Sequence, residues 1–189
     1  MNIEILTGRN IQLEPLRKQH EIELYQAAQH ENIWTYHVSN GLGQQFYTWF
    51  NKSLKKAEEG QCIPYAVRRL EDGMLVGSTR YYDLMPEHKR LAMGNTWYAP
   101  EVWGTHVNTE SKYLLLKQAF EVLGMNRVEF STDFLNQRSQ AALKKLGAKE
   151  EGILRQHLVL ESGRARDSVI FSILNSEWND IKQNLEKWL

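Results

Sequence analysis

Residues 98–124, "YAPEVWGTHVNTESKYLLLKQAFEVLG", run on into "RVEFSTD" at 127–133 and "NQRSQAALKKLG" at 136–147. The first stretch reads as a strand end, a short loop and an amphipathic helix. Leu116, Phe120 and Leu123 fall at i, i+4 and i+7, with Leu115, Ala119 and Val122 beside them on one apolar stripe. Asn108 or Thr109 is placed to cap its start and Gly124 to close its end. "RVEFSTD" alternates as a half-buried strand does. Asn136 and Gly147 then bracket a second helix over 137–146. A loop that feeds a helix N-terminus suits an anion, because free N–H groups and the helix dipole converge there. Here "WGTHVN" offers one glycine, Gly104, where a phosphate cradle usually has several.

On either side the pattern turns antiparallel. "NIQLEPL" (10–16) alternates as a strand, and a helix is expected from Lys18 to Gln29 with Ile22, Tyr25 and Ala28 inward. A second helix is expected from Gln45 to Glu59. "PYAVRRL" and "MLVGSTRYYDL" flank Glu71-Asp72-Gly73, a strong hairpin signal. "RLAMGNTWY" (90–98) is a further strand, ended by Ala99-Pro100. The stretch 152–174 reads as a hairpin turning at Glu161–Arg164, and a last helix carries Trp178, Ile181 and Leu185. The predicted fold class is α+β, a mixed sheet with helices on both faces, in a single domain over 1–189.

Composition narrows the function. With 23 acidic and 23 basic residues the formal net charge is zero, so no bulk field recruits nucleic acid or anionic membrane. The single cysteine, Cys62, excludes an intrachain disulfide and C-x-x-C chemistry, and is read as a buried apolar residue. No basic-then-apolar leader pattern or membrane-length apolar run is found, so a cytoplasmic location is expected. No G-x-S-x-G, P-loop or H-E-x-x-H motif occurs. The six histidines hold no helical pair fit for zinc, and no metal site is expected.

Residues from about 74 to 178 resemble the GNAT N-acetyltransferases, specifically the RimJ/RimL-like branch, and the segment from Trp97 to Arg155 carries the pattern. It follows that branch's strand 4, pyrophosphate loop, helix, strand 5, "N-x-x-S" helix, Leu-Gly and Glu-Gly; "IQLEPL" resembles its first strand. The resemblance implies a sheet splayed between its fourth and fifth strands and acetyl-CoA as acyl donor. The acceptor would be a primary amine, on a small molecule or a protein N-terminus, attacking the thioester directly. The loop departs from the family's Q/R-x-x-G-x-G/A. Trp103 stands at the Gln/Arg position, His106 at the first glycine and Asn108 at the Gly/Ala.

On this resemblance, Gly104, Thr105, His106, Val107, Asn108 and Thr109 address the diphosphate. The main chain around Thr96, Trp97 and Tyr98 meets the thioester and supplies the oxyanion donor. Asn136 contacts the pantetheine arm, and Ser139 is a candidate acid for the thiolate. Helix capping is the competing role for both. The candidate base is His157, on the less apolar face of strand 153–160, with Glu129 or a water chain as alternatives. Trp34, Tyr36, His37, Tyr81 and Tyr82 are candidates for the acceptor pocket. Arg164 and Arg166 read as hairpin surface charges, and Trp178 and Trp188 hint at a homodimer. The alternative reading is a non-catalytic acyl-CoA-binding or interaction protein on the same scaffold, which the altered loop motivates.

Overall fold

A computed structural model describes residues 4–189; residues 1–3, which open the stretch read above for a leader pattern, lie outside it. The chain begins with two strands, β1 (Leu6–Thr7) and β2 (Ile11–Pro15). Three helices follow: α1 (Glu21–Ala27), α2 (Glu31–Trp34) and α3 (Gln45–Glu58). Next come β3 (Cys62–Arg69), β4 (Leu75–Met85) and β5 (Arg90–Tyr98). Helix α4 (Val107–Lys117) leads to β6 (Arg127–Asp133), and α5 (Gln137–Leu146) to β7 (Lys149–Val159). Strand β8 (Ala165–Leu174) and helix α6 (Asn175–Glu186) close the fold.

The strands form one sheet in the order β1-β2-β3-β4-β5-β6-β8-β7. Every neighbouring pair is antiparallel except β5 and β6. The β3–β4 hairpin turns where Asp72-Gly73 predicts it: Gly73 takes φ 74° and Asp72 Oδ1 accepts from Met74 N at 3.1 Å. Strand alternation sends apolar side chains to both faces. One layer packs Leu91, Met93, Val128, Phe130 and Phe171 under α4, α5 and α6. The other gathers Trp34, Phe46, Trp49, Phe50 and Trp97 under α1–α3.

Three expectations change. Ile22 is 73% exposed, because α1 follows a 3-10 turn and its buried side runs through His20, Leu24 and Ala28. Val122 is also exposed: a π turn over Gln118–Val122, closed by Leu123 N on Gln118 O at 2.9 Å, rotates the stripe. Trp178 is buried, 5.6 Å from the Phe120 ring and donating to Glu121 Oε1 at 2.9 Å, so it offers no dimer surface; Trp188 is exposed. Among the described residues no helix is long and apolar enough to cross a membrane.

Candidate active site

The site begins with a failure of pairing. Strands β5 and β6 are in register only from Arg90–Arg127 to Ala92–Glu129, and beyond those three pairs they part. A bulge helps them do so. Between Ser78↔Trp97 and Arg80↔Gly94, β5 holds one residue more than β4, and Asn95 takes φ 47°. The edge of β5 that faces β6 thus loses its strand partner from Met93 to Tyr98.

A cleft of about 1830 Å³ fills the gap. That exceeds the several hundred Å³ typical of drug-sized ligands, so the cleft has room for more than one such molecule. Gly94 allows the Tyr82 ring to lie across β5; a Cβ there would stand 3.1 Å from it. Thr96, Trp97 and Tyr98 line the cleft, and the Tyr98 carbonyl is fixed by Trp103 Nε1 at 2.8 Å.

At one end lies the loop before α4. Gly104 takes φ 77°, and His106 is the N-cap residue but places no side-chain bond on the helix. Thr105 Oγ1 accepts from Val107 N at 3.4 Å, and Glu110 N bonds to His106 O at 2.8 Å. Between them, the N–H groups of Asn108 and Thr109 have no acceptor outside the helix among the described residues, the ordinary condition of a first turn. Neither Asn108 nor Thr109 is the cap; the helix begins two to three residues earlier than that reading requires. Gly104, Thr105, His106, Asn108 and Thr109 line the cleft, whereas the Val107 side chain is buried in the core. Arg138 stands beside this end, its guanidinium 4.0 Å from the Trp103 ring centroid.

Along the α5 side, Asn136 Oδ1 caps the helix through Ser139 N at 3.0 Å. Both residues line the cleft, and the cap leaves the Asn136 amide nitrogen able to donate. Deeper in, Lys112 Nζ donates to Thr96 Oγ1 at 2.8 Å, and Thr96 Oγ1 lies 2.8 Å from Thr79 Oγ1. Burial pushes the Lys112 ammonium down to about 7.

On the opposite face Tyr36, His37 and Tyr82 line the cleft. Burial, then the Arg166 and Arg80 cations, push His37 down to about 4, against the pull of the Thr96 backbone. Burial likewise pushes Tyr82 up to about 12. Tyr81 does not join them. It points to the other face, where its hydroxyl donates to the Leu115 carbonyl, because neighbouring strand residues alternate. Trp34 is buried against Trp49 and Trp97 and donates to Ala28 O at 2.9 Å.

His157 is exposed on β7 and lies outside the cleft lining. The alternation that assigned its face breaks at Gln156, φ 49°, inside a register shift between Leu154 and Leu158. Arg166 is no surface charge: it is buried and lines the cleft, while Arg164 pairs with Asp133. Arg80, Lys112, Arg138 and Arg166 are the cleft cations that pattern reading passed over. Lys112 sits one turn before Leu116 on the apolar stripe, and Arg80 interrupts a buried strand; a charge in either place marks a site. Among the described residues no cluster fit for a metal ion is found.

A mostly antiparallel sheet split at its one parallel pair, with a strand–loop–helix at the opening, defines the class. The chain belongs to the GNAT acetyltransferase family, whose domain model matches residues 10–149. The fold superposes on a GCN5-related N-acetyltransferase from Brucella melitensis with a TM-score of 0.92. That alignment is 29% identical and covers 100% of this chain and 86% of that one. Mycobacterium smegmatis RimJ, solved in complex with CoA-disulfide, shares the fold at a TM-score of 0.80 and 19% identity, over 97% of this chain and 91% of that one. Among curated proteins, YdaF of Bacillus subtilis strain 168, named provisionally as a ribosomal N-acetyltransferase, is 33% identical over 113 residues. The match covers 60% of this chain and 61% of YdaF, less than two thirds of that relative's length.

Proposed function

We propose that the protein transfers an acetyl group from acetyl-CoA to a primary amine, on a small molecule or a protein N-terminus, by direct attack. The observation that carries this reading is the three-pair contact between β5 and β6, which opens a cleft running to the free N–H groups of α4. Asn108 and Thr109 main-chain donors, with His106 and Arg138, would hold the diphosphate. Asn136 would meet the pantetheine arm.

With the thioester against Thr96–Tyr98, main-chain N–H there receives the charge that develops on the carbonyl oxygen. The amine nitrogen bonds to the acetyl carbon, and the C–S bond breaks. The thiolate takes a proton from Ser139, and the ammonium gives its own to cleft water, which returns a proton to the Ser139 oxygen so that the net transfer is from ammonium to thiolate. This assignment replaces His157, which lies outside. Family membership and the fold shared with CoA-bound RimJ support the donor; the name of YdaF supports a protein N-terminus among the acceptors.

Calorimetry with acetyl-CoA and desulfo-CoA tests the first half, and thiol release with a panel of amines the second. In His106→Glu a carboxylate at the helix N-terminus suits the dipole but faces the diphosphate. Affinity should fall by roughly tenfold or more while the melting temperature holds. Absence of acetyl-CoA binding to the wild type would overturn the reading.

A further inference from the structure

The acceptor side of the cleft contains two charges that the acetyl-transfer chemistry does not use. Arg80 on β4 and Arg166 on β8 are each only 6% exposed, and both line the cleft. Among the described residues neither has a carboxylate within salt-bridge distance. Each guanidinium donates to one neutral hydroxyl: Arg80 to Ser53 Oγ at 2.9 Å, Arg166 to Ser131 Oγ at 3.2 Å. Arg80 also lies against the Cys62 thiol and 5.6 Å from the Trp49 ring. Among the described residues the Nε of each is buried without a partner.

A guanidinium carries five N–H donors, so most of this capacity is unspent. Buried charges are ordinarily paired, because an unpaired one costs several kcal/mol of lost hydration. The carboxylate whose charge reaches Arg166 is already engaged: Asp133 binds Arg164 and accepts from Leu135 N at 2.9 Å. Lys52 and Lys56 add positive charge at the same mouth. Both arginines line the same cleft as His37 and Thr96, the strand segment the thioester would face.

We propose that Arg80 and Arg166 form a carboxylate subsite, and that the accepted amine carries a carboxylate within a few bonds of its nitrogen. Two guanidiniums on different strands then fix the amine's orientation, since each can grip a carboxylate through two parallel N–H bonds. A free amino acid and a peptide N-terminus with an acidic first residue share this chemistry. The proposal rests on the amine-acetylation reading, and its test separates the two.

Acetyl-CoA binding is first measured by calorimetry, which decides the donor alone. Initial rates are then compared for acceptors that differ only in the carboxylate: free amino acids against their amides, and tripeptides opening with Asp or Glu against Asn or Gln. A polyamine serves as the acceptor with no carboxylate. The expected result is a preference of about tenfold or more in kcat/KM for the carboxylate member. It should collapse in Arg166→Gln and Arg80→Gln, survive in part in Arg166→Lys, and leave acetyl-CoA affinity unchanged.

Whichever pair shows the larger preference names the source. Equal rates with the amides or the polyamine, or a preference that persists in both glutamine variants, would overturn the subsite. A measurement on the wild type alone needs neither turnover nor variants: melting in the presence of N-acetyl amino acids and their amides. Stabilisation by the acids only supports the subsite even if no amine is turned over, and none by either sinks it.

Discussion

Lys112 shows how one buried charge ties stability to pH. Its amine is held near 7 by burial, whereas an unfolded lysine keeps its proton up to about 10.4. Between those values the unfolded chain binds more protons than the folded one, so stability rises with pH across that window. Below pH 7 both states are protonated and the penalty is complete. Lys112→Met should therefore raise the melting temperature at pH 6–7, and the gain should fade as pH approaches 10. A variant less stable than wild type at pH 6 would mean that the bonds to Thr96 outweigh the desolvation. His37 follows the same sign at lower pH. Its folded value of about 4 lies below the ordinary histidine range, so unfolded chain gains a proton first as pH falls. His37→Asn should flatten the loss of stability between pH 6.5 and 4, read from urea midpoints at each pH. His37 was legible as a pocket candidate from its loop, but Lys112 was not: pattern reading treats helix and strand positions as apolar or polar and does not ask which charge is enclosed.

At the scale of elements, β5 has to keep its bulge while packed against β4. Gly77 permits this, because a Cβ on it would stand 2.3 Å from the Trp97 carbonyl oxygen. Gly77→Ala should displace the segment that faces the thioester. Overpacking of this kind costs about 1–3 kcal/mol, measurable by urea unfolding. In turnover assays kcat should fall more than acetyl-CoA affinity, since the α4 end of the cleft is untouched; an equal fall in both would point to general loosening. The elements themselves were largely legible. The hairpin at Asp72-Gly73, the cap at Asn136 and the stop at Gly147 are local chemistry, and local chemistry is printed in the chain. The π turn after α4 and the kink at Gln156 were not, because both are insertions of only one or two residues that leave composition unchanged while shifting phase.

For the whole molecule, the consequence of the split sheet is that its two halves share few main-chain bonds. Strands β1–β5 and β6–β8 meet through three register pairs and the helices that cover them. The splay was legible only through resemblance, since nothing in either strand's alternation says where pairing stops. A ligand spanning Asn108, Thr96 and Asn136 would touch both halves at once. Binding at one hundred times the dissociation constant stabilises the folded state by about 2.7 kcal/mol. For a domain of this size that corresponds to a melting shift of roughly 5–10 °C. If acetyl-CoA crosses the split, amide exchange should slow on β5 beyond Ala92 and on β6 beyond Glu129 together. Protection confined to the start of α4 would mean that only the diphosphate end is held and the pantetheine does not enter. The size of the melting shift cannot make that distinction, because any site filled to the same degree stabilises equally; the location of protected amides can. Protection on both flanks would also place the thioester beside Thr96, where the attack on it must occur.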